Sequence, residues 1–124
     1  MKFSGILFYI AGLYERKNEF LVYKKELEEF NHQVVSQWLW SEDTLPRVIA
    51  RRDIDDIARC NWMIYFPTAE KGSGHKIEYG IALALNKKIS IISVEKQTGI
   101  FYSLIPLSQQ YSTWLNFMTR NFKI

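Results

Sequence analysis

Residues 71–85 read KGSGHKIEYGIALAL, a glycine-rich turn that leads into a helix. The apolar run WMIYF at residues 62–66 comes before the turn and is typical of a short buried strand. Apolar residues then recur at helical spacing, at Ile77, Ile81, Ala82 and Leu85. Gly72 and Gly74 let backbone N–H groups approach a ligand, and the helix directs the positive end of its dipole at the same place. A strand, a glycine turn and a helix in this order predict a ligand site.

Glu78 is the one carboxylate of this stretch. Held in the field of the helix dipole, it should stay ionised at neutral pH, which suits a nucleophile better than a general acid. A structural interpretation is also open, because Glu is common in the first helical turn, where it offsets the dipole. Position alone favours the structural role, so other residues must supply the argument for catalysis.

Composition indicates one domain that spans residues 1–124, since the chain is 48% hydrophobic and 15% aromatic. The net charge of +3 permits a small anionic ligand, but the basic residues form no stripe that would indicate a nucleic acid polymer as partner. Cys60 has no partner for a disulfide, and with His32 and His75 it makes no zinc-binding pattern. These features are typical of a reducing compartment and predict a cytoplasmic protein.

The N-terminus resembles a short signal peptide at residues 5–13, GILFYIAGL. Charged residues 15–17 follow at once without a small-residue cleavage site, so a buried first strand explains the run better. No segment approaches the ~20 apolar residues that a membrane-spanning helix needs. We therefore expect no membrane partner.

Strand and helix signals alternate along the chain, which is typical of a parallel sheet with crossover helices. The predicted strands cover residues 6–11, 33–39, 62–66, 89–94 and 109–113. The predicted helices cover residues 16–30, 48–58, the stretch after the glycine turn and 114–122, with a short helix within 99–107. Residues 41–47, with Pro46, are predicted as a polar loop. The expected fold is a single-domain α/β fold, flavodoxin-like or Rossmann-like, with about five parallel strands and helices on both faces.

In such sheets a ligand lies beyond the carboxyl ends of the strands, where the strand order reverses. That edge should carry residues 9–16, 38–40 and 67–78, and the second helix can bring Asp53, Asp55 or Asp56 near it. Two carboxylates at one site suit cleavage of a sugar–base bond through an oxocarbenium-like transition state. Glu78 and Asp53 are candidates for these roles, and Trp38 and Trp40 are candidates to stack on a base or to fill the core.

Other motifs argue against a cofactor. Ile77 stands where the third glycine of a dinucleotide fingerprint would be, and no phosphate-loop motif is present, so we expect no NAD hydride chemistry, no cofactor and no metal. Ser73 and His75 lack the elbow motif of serine hydrolases. His75 is expected to be exposed or to lie near a phosphate.

Three segments together resemble the nucleoside 2-deoxyribosyltransferase-like superfamily, which includes 2'-deoxynucleoside 5'-monophosphate N-glycosidases. They are FYIAGLYER at 8–16, DIDDIARCNWMIYFP at 53–67 and GSGHKIEYGIALALNKKISII at 72–92. The resemblance implies that Glu78 is the nucleophile, that Asp53 acts on the leaving base and the sugar, and that Tyr9 hydrogen-bonds the nucleophilic carboxylate. It also implies a small-molecule deoxynucleotide or deoxynucleoside substrate, with hydrolysis or transfer of the deoxyribosyl group.

The chain departs from the transferases six residues before Glu78, where they carry a carboxylate and this chain has Gly72. Ser73 beside it and Arg16 after the first strand are similar to the monophosphate hydrolases, which favours a 5'-phosphate on the substrate. Gly12 and Gly74 complete the expected substrate-binding set.

Two alternatives remain open. A Toll/interleukin-receptor-like domain that cleaves NAD has the same sheet topology and a glutamate on a comparable helix. A catalytically inactive nucleotide-binding module would explain the missing carboxylate at position 72. In each case we expect a homodimer or higher homo-oligomer, because aromatic residues are frequent late in the sequence, at Tyr102, Tyr111, Trp114, Phe117 and Phe122.

Overall fold

One parallel sheet of five strands forms the centre of the molecule. The computed structural model describes residues 5–69 and 74–122. The strands are β1 (Leu7–Ala11), β2 (Gln33–Val34), β3 (Trp62–Tyr65), β4 (Lys88–Ile92) and β5 (Gln110–Tyr111). All pairings are parallel, in the order β2-β1-β3-β4-β5. The predicted flavodoxin-like α/β fold is confirmed, and its strand order reverses between β1 and β3.

Helices cover both faces of the sheet. They are α1 (Lys17–Glu29), α2 (Pro46–Arg59), α3 (Gly74–Ala84) and α4 (Trp114–Phe122). Phe8 and Ile10 of β1 pack with α1 and α4, whereas Tyr9 and Ala11 pack with α2 and α3. This division follows from the alternation of side chains along a strand. It places Tyr9 on the sheet face that α2 and α3 cover.

The most buried strands have no polar face. All four residues of β3 are buried, and in β4 only Lys88 at its start is exposed. Strands covered on both sides read as continuous apolar runs, which is why the pattern of the sequence located them well. The predicted last helix is also confirmed, with Trp114, Phe117 and Met118 buried.

The second strand is much shorter than the predicted 33–39. The Ser36 hydroxyl accepts a hydrogen bond from the Ile10 N–H at 3.1 Å, so a side chain takes the place of the next backbone partner. The chain then makes a 3₁₀ turn at Gln37–Leu39. Buried Asp56 holds this turn, since its carboxylate accepts from the Gln37 N–H and Nε2, each at 2.9 Å.

The second helix begins earlier than predicted, at Pro46 instead of residue 48. Proline has no N–H to leave unpaired in the first turn, so the residue that suggested a loop is well suited to start the helix. Within residues 5–69 and 74–122, no helix combines the length and the apolar character needed to cross a bilayer.

Candidate active site

A cavity of about 340 Å³ lies at the carboxyl end of β1, where the strand order reverses. Four segments line it. The segment after β1 contributes Gly12, Leu13, Tyr14 and Glu15, and the segment after β2 contributes Trp38, Ser41 and Asp43. Helix α2 contributes Ile49, Arg52 and Asp53, and α3 contributes Gly74, His75 and Glu78. The cavity therefore brings together four of the predicted site residues, namely Gly12, Asp53, Gly74 and Glu78.

A larger cavity of about 560 Å³ lies elsewhere, between α3 and residues 99–104. Its lining is mainly apolar, with Leu83, Ile100, Phe101 and Leu104 among the residues, and Lys76 is the charged residue there. Its described lining residues include no carboxyl group, so they offer no carboxylate pair for cleavage of a sugar–base bond. The smaller cavity is the candidate active site.

Glu78 lies four residues after Gly74, the first residue of α3, and its side chain is directed back toward the start of the helix. Burial, and secondarily the charge of Asp53, raise the pKa of Glu78 to about 8. Tyr9 and Arg52 oppose this rise. The expectation that Glu78 is ionised at neutral pH is therefore wrong, because the cost of burying its charge exceeds the effect of the helix dipole. A glutamate that offsets the helix dipole would stand in the first turn, and Glu78 lies beyond that turn.

Asp53 faces the same cavity from α2 and pairs with Arg52. The Asp53 Oδ1 accepts from Arg52 Nε at 3.3 Å and from Nη2 at 3.1 Å. Burial raises the pKa of Asp53, and the hydrogen bonds and charge of Arg52 hold the rise back. Arg52 also bonds Asp43 Oδ2 through Nη1 at 3.2 Å, which ties the segment after β2 to α2. The sequence analysis missed Arg52, although it directly precedes Asp53 in the sequence.

Tyr9 is fully buried in the middle of β1. Burial, followed by the charges of Glu78 and Asp53, raises its pKa well above the usual value, so the phenol keeps its proton. The Tyr9 hydroxyl is close enough to Glu78 to lower the pKa of that carboxyl. Its geometry nevertheless falls short of a well-formed hydrogen bond, and the oxygen has no other partner in the described part of the chain. Tyr9 is thus a buried donor directed at Glu78.

His75 is buried, with 4% of its surface exposed, so the expectation of an exposed histidine is wrong. Neither ring nitrogen has a hydrogen-bond partner among the described residues. The Tyr65 ring lies 5.8 Å from the imidazole ring. Burial, and then the charge of Lys76, lower the pKa of His75, which keeps the imidazole neutral at pH 7.

Trp38 and Tyr14 form an aromatic wall at the cavity. The Trp38 Nε1–H donates to the Ile10 carbonyl at 2.8 Å, which fixes the indole, and the Tyr14 ring lies 6.4 Å from it. Tyr14 is largely exposed. A planar base can stack against such a surface. Trp40, the other tryptophan predicted to stack, is exposed and lies under Lys24 of α1, away from the cavity lining.

Arg16 lines a different cavity from that of Glu78. Its guanidinium bonds the Glu19 carboxylate at 3.0 and 2.6 Å and lies over the Phe20 and Phe66 rings. The cavity beside it, about 450 Å³, opens at the ends of β3, β4 and β5. The structure therefore does not bring Arg16 and Glu78 together in one cavity. Two further predicted residues, Gly72 and Ser73, lie outside the described residues.

The glycines of the predicted set have different surroundings. A Cβ on Gly12 would lie 2.5 Å from the Phe20 Cζ, so this glycine permits β1 to pack against α1 as well as lining the cavity. A Cβ on Gly74 would have no neighbour within 4 Å among residues 5–69 and 74–122. No group of three or more His, Cys, Asp or Glu side chains in residues 5–69 and 74–122 is arranged to hold a metal ion.

Comparison with known proteins finds likeness in structure and not in sequence. No protein-family model matches the chain, and no curated protein matches it by sequence. The CMP N-glycosidase BcmB of Clostridium botulinum superposes with a TM-score of 0.66 at 20% identity, covering 92% of this chain and 96% of that one. A 2-deoxyribosyltransferase from Leishmania mexicana superposes with a TM-score of 0.70 at 15% identity, covering 94% and 99%.

A third solved structure is the TIR domain of the Toll-related receptor TRR-2 from Hydra magnipapillata. It superposes with a TM-score of 0.64 at 18% identity, covering 91% of this chain and 87% of that one. At these identities the likeness concerns the fold. The chain thus shares its fold with a CMP N-glycosidase, a 2-deoxyribosyltransferase and a TIR domain, and the resemblance noted in the sequence is confirmed at the level of the fold.

Proposed function

We propose that this protein cleaves the N-glycosidic bond of 2'-deoxynucleoside 5'-monophosphates or deoxynucleosides, with Glu78 as nucleophile. The observation that carries the proposal is the position of Glu78 and Asp53 on two different helices, both lining one cavity beside the buried Tyr9 hydroxyl. The fold shared with an N-glycosidase and a deoxyribosyltransferase supports this class of reaction.

In the first step, a Glu78 carboxylate oxygen forms a bond to the anomeric carbon of the sugar while the bond from that carbon to the base nitrogen breaks. The bonding electron pair leaves with the base, and protonated Asp53 supplies the proton that neutralises it. Burial raises the pKa of Asp53, which favours this proton donation. The Tyr9 hydroxyl donates to the attacking carboxylate and positions it.

In the second step, water or another base attacks the anomeric carbon and releases Glu78. The Asp53 carboxylate accepts the proton of the attacking group. To begin a cycle Glu78 must be ionised and Asp53 protonated, so the reactive form of this coupled pair holds its one proton on Asp53. Whether water or a base completes the reaction decides between hydrolysis and transfer.

A 5'-phosphate on the substrate is proposed from Ser73 and Arg16. Arg16 pairs with Glu19 beside a neighbouring cavity, so the phosphate would have to extend from the Glu78 cavity toward that one. A charge-assisted hydrogen bond contributes roughly 1.5 to 3 kcal/mol, so losing one arginine contact should weaken selection for the phosphate roughly 10- to 150-fold. The test compares kcat/KM for a deoxynucleoside and its monophosphate in wild type and in Arg16→Ala. A wild-type preference for the free nucleoside would contradict this part alone.

A second candidate is cleavage of NAD, and the charge of the cavity lining favours it. The described lining residues include the carboxylates of Glu15, Asp43 and Asp53, the largely protonated carboxyl group of Glu78 and the guanidinium of Arg52. An acidic lining suits a leaving group that is positively charged in the substrate, as nicotinamide is in NAD. The fold shared with a TIR domain is compatible with this reaction.

One experiment tests both reactions. The protein is incubated with deoxynucleosides, deoxynucleoside monophosphates, ribonucleoside monophosphates and NAD, and released base is separated by chromatography. Wild type should release base from one class, Glu78→Gln should release none, and Asp53→Asn should be at least about 100-fold slower. Asp55→Asn is the matched control, because Asp55 is exposed on α2. Full activity in Glu78→Gln would exclude the mechanism, and no release from any substrate would favour an inactive binding module.

We further propose that the chain forms a homodimer or higher homo-oligomer. Tyr111, Trp114 and Phe117, which suggested this from the sequence, are buried inside the chain. Exposed apolar residues are found instead at Ile100, Phe101, Leu104 and Leu107. Such a surface is typical of subunit contacts. Sedimentation that shows only monomer at micromolar concentration would contradict this proposal.

A further inference from the structure

Buried His75 carries two polar atoms that the fold does not use. Nearly all buried polar side-chain atoms in proteins have a hydrogen-bond partner, since an unpaired one costs free energy. In residues 5–69 and 74–122 the buried side-chain nitrogens and oxygens without a partner belong only to Tyr9 and His75. The Tyr9 hydroxyl is directed at Glu78, and His75 lines the same cavity as Glu78. Both residues therefore lack partners at the candidate active site.

The position of His75 on α3 places it beside the reacting carbon of a substrate. His75 precedes Glu78 by three residues, so the two side chains are neighbours on one face of the helix. Glu78 and Gly74 both line the cavity, and none of the described residues lies within 4 Å of a Cβ built on Gly74. A sugar attacked by Glu78 at its anomeric carbon would occupy this cavity, with its ring next to the imidazole.

The chemistry of a neutral imidazole selects the group that it can bind. One ring nitrogen donates and the other accepts, and a hydroxyl can pair with either one. An ionised phosphate offers acceptors only, so it can pair with just the N–H of a neutral imidazole and leaves the other ring nitrogen without a partner. We propose, on the basis of the proposed function, that His75 hydrogen-bonds the 3'-hydroxyl of the substrate's pentose ring, which is the ring hydroxyl that a 2'-deoxynucleotide carries, and so selects the sugar.

The test compares substrates with and without the bound hydroxyl, in proteins with and without the imidazole of His75. Values of kcat/KM are measured in wild type and in His75→Phe for two substrates. One is the 2'-deoxynucleoside monophosphate that wild type cleaves fastest, and the other is its 2',3'-dideoxy form. Loss of the bound hydroxyl should slow wild type about 3- to 10-fold and should leave His75→Phe unaffected. His75→Asn, which retains a donor and an acceptor, should keep part of the selectivity. Equal selectivity in wild type and His75→Phe would overturn the proposal.

A second measurement does not need activity. The Hε1 proton resonance of His75, assigned by its absence in His75→Phe, should shift when ribose 5-phosphate is added. It should shift less with the form of the sugar that lacks the bound hydroxyl. No shift at saturating ribose 5-phosphate would overturn the proposal, even if the protein releases base. A shift without base release would leave His75 as a sugar-binding residue and remove the proposed reaction. His75→Leu replaces His75→Phe if the phenylalanine variant does not fold.

Discussion

Replacing Glu78 with Gln should make the protein more stable at alkaline pH while abolishing catalysis. The pKa of Glu78 is raised from 4.5 to about 8 in the folded chain, so the folded state binds the proton more tightly than the unfolded state between these values. Stability is therefore lost as the pH rises from about 5 to about 8, and each pH unit removes at most about 1.4 kcal/mol. Because Glu78 is partly exposed, we expect a total of about 1–2 kcal/mol. Glutamine has no charge to bury, so its variant escapes this loss.

The assay is urea unfolding at pH 5, 6, 7 and 8 under constant ionic strength. Wild type and Glu78→Gln should have similar unfolding free energies at pH 5 and should diverge by about 1–2 kcal/mol at pH 8. Glu29→Gln is the matched control, because Glu29 is exposed on α1, and it should follow wild type throughout. A constant difference between wild type and Glu78→Gln across this range would refute the argument that burial raises the pKa of Glu78.

Three further substitutions test other contacts. Arg52→Gln should move the acid limb of the kcat/KM pH profile to higher pH, because this limb reports the ionisation of Glu78 and the charge of Arg52 lowers the pKa of Glu78. Arg51→Gln, at an exposed position one residue earlier, should leave the profile unchanged, and an unshifted limb in Arg52→Gln would contradict the assignment. Gly12→Ala should lower the unfolding free energy by about 1–3 kcal/mol in urea, since its Cβ would lie 2.5 Å from Phe20 Cζ. Gly80→Ala, with open space at Cβ, should instead raise it by about 0.5–1 kcal/mol. Asp56→Ala should cost about 2–3 kcal/mol because it leaves the Gln37 N–H unpaired, whereas Asp55→Ala should change stability by less than about 0.5 kcal/mol.

The fold was predictable because its strongest signals are local. Apolar runs such as residues 62–66 can only be strands that both faces of a sheet cover, and the alternation with helices then requires a parallel sheet. The end of β2 was not predictable, because it depends on two side-chain contacts. One is made by the hydroxyl of Ser36, and the other by the carboxylate of Asp56, which is distant in the sequence. Such contacts leave no periodicity in the sequence.

The candidate site was predictable in part. The topology rule locates the edge of the sheet, and this was enough to place Glu78 and Asp53 near one another. The ionisation of Glu78 was not predictable, since it depends on burial that α2 and β1 provide together. The same reason explains why Arg52 was missed and why the burial of His75 was not expected. An arginine in a helix and a histidine after a glycine carry no sequence signal of burial.

The two sides of the candidate cavity differ in how much substitution they should tolerate. Tyr9 and His75 are buried, whereas Asp43 and Tyr14 at the opposite side are exposed. Random variation at the exposed side should therefore change which base is accepted at little expense in folding, while variation at the buried side should be tolerated far less often. A directed-evolution library for new base specificity is best confined to exposed positions such as Tyr14 and Asp43, because these can vary while the buried reacting groups stay in place.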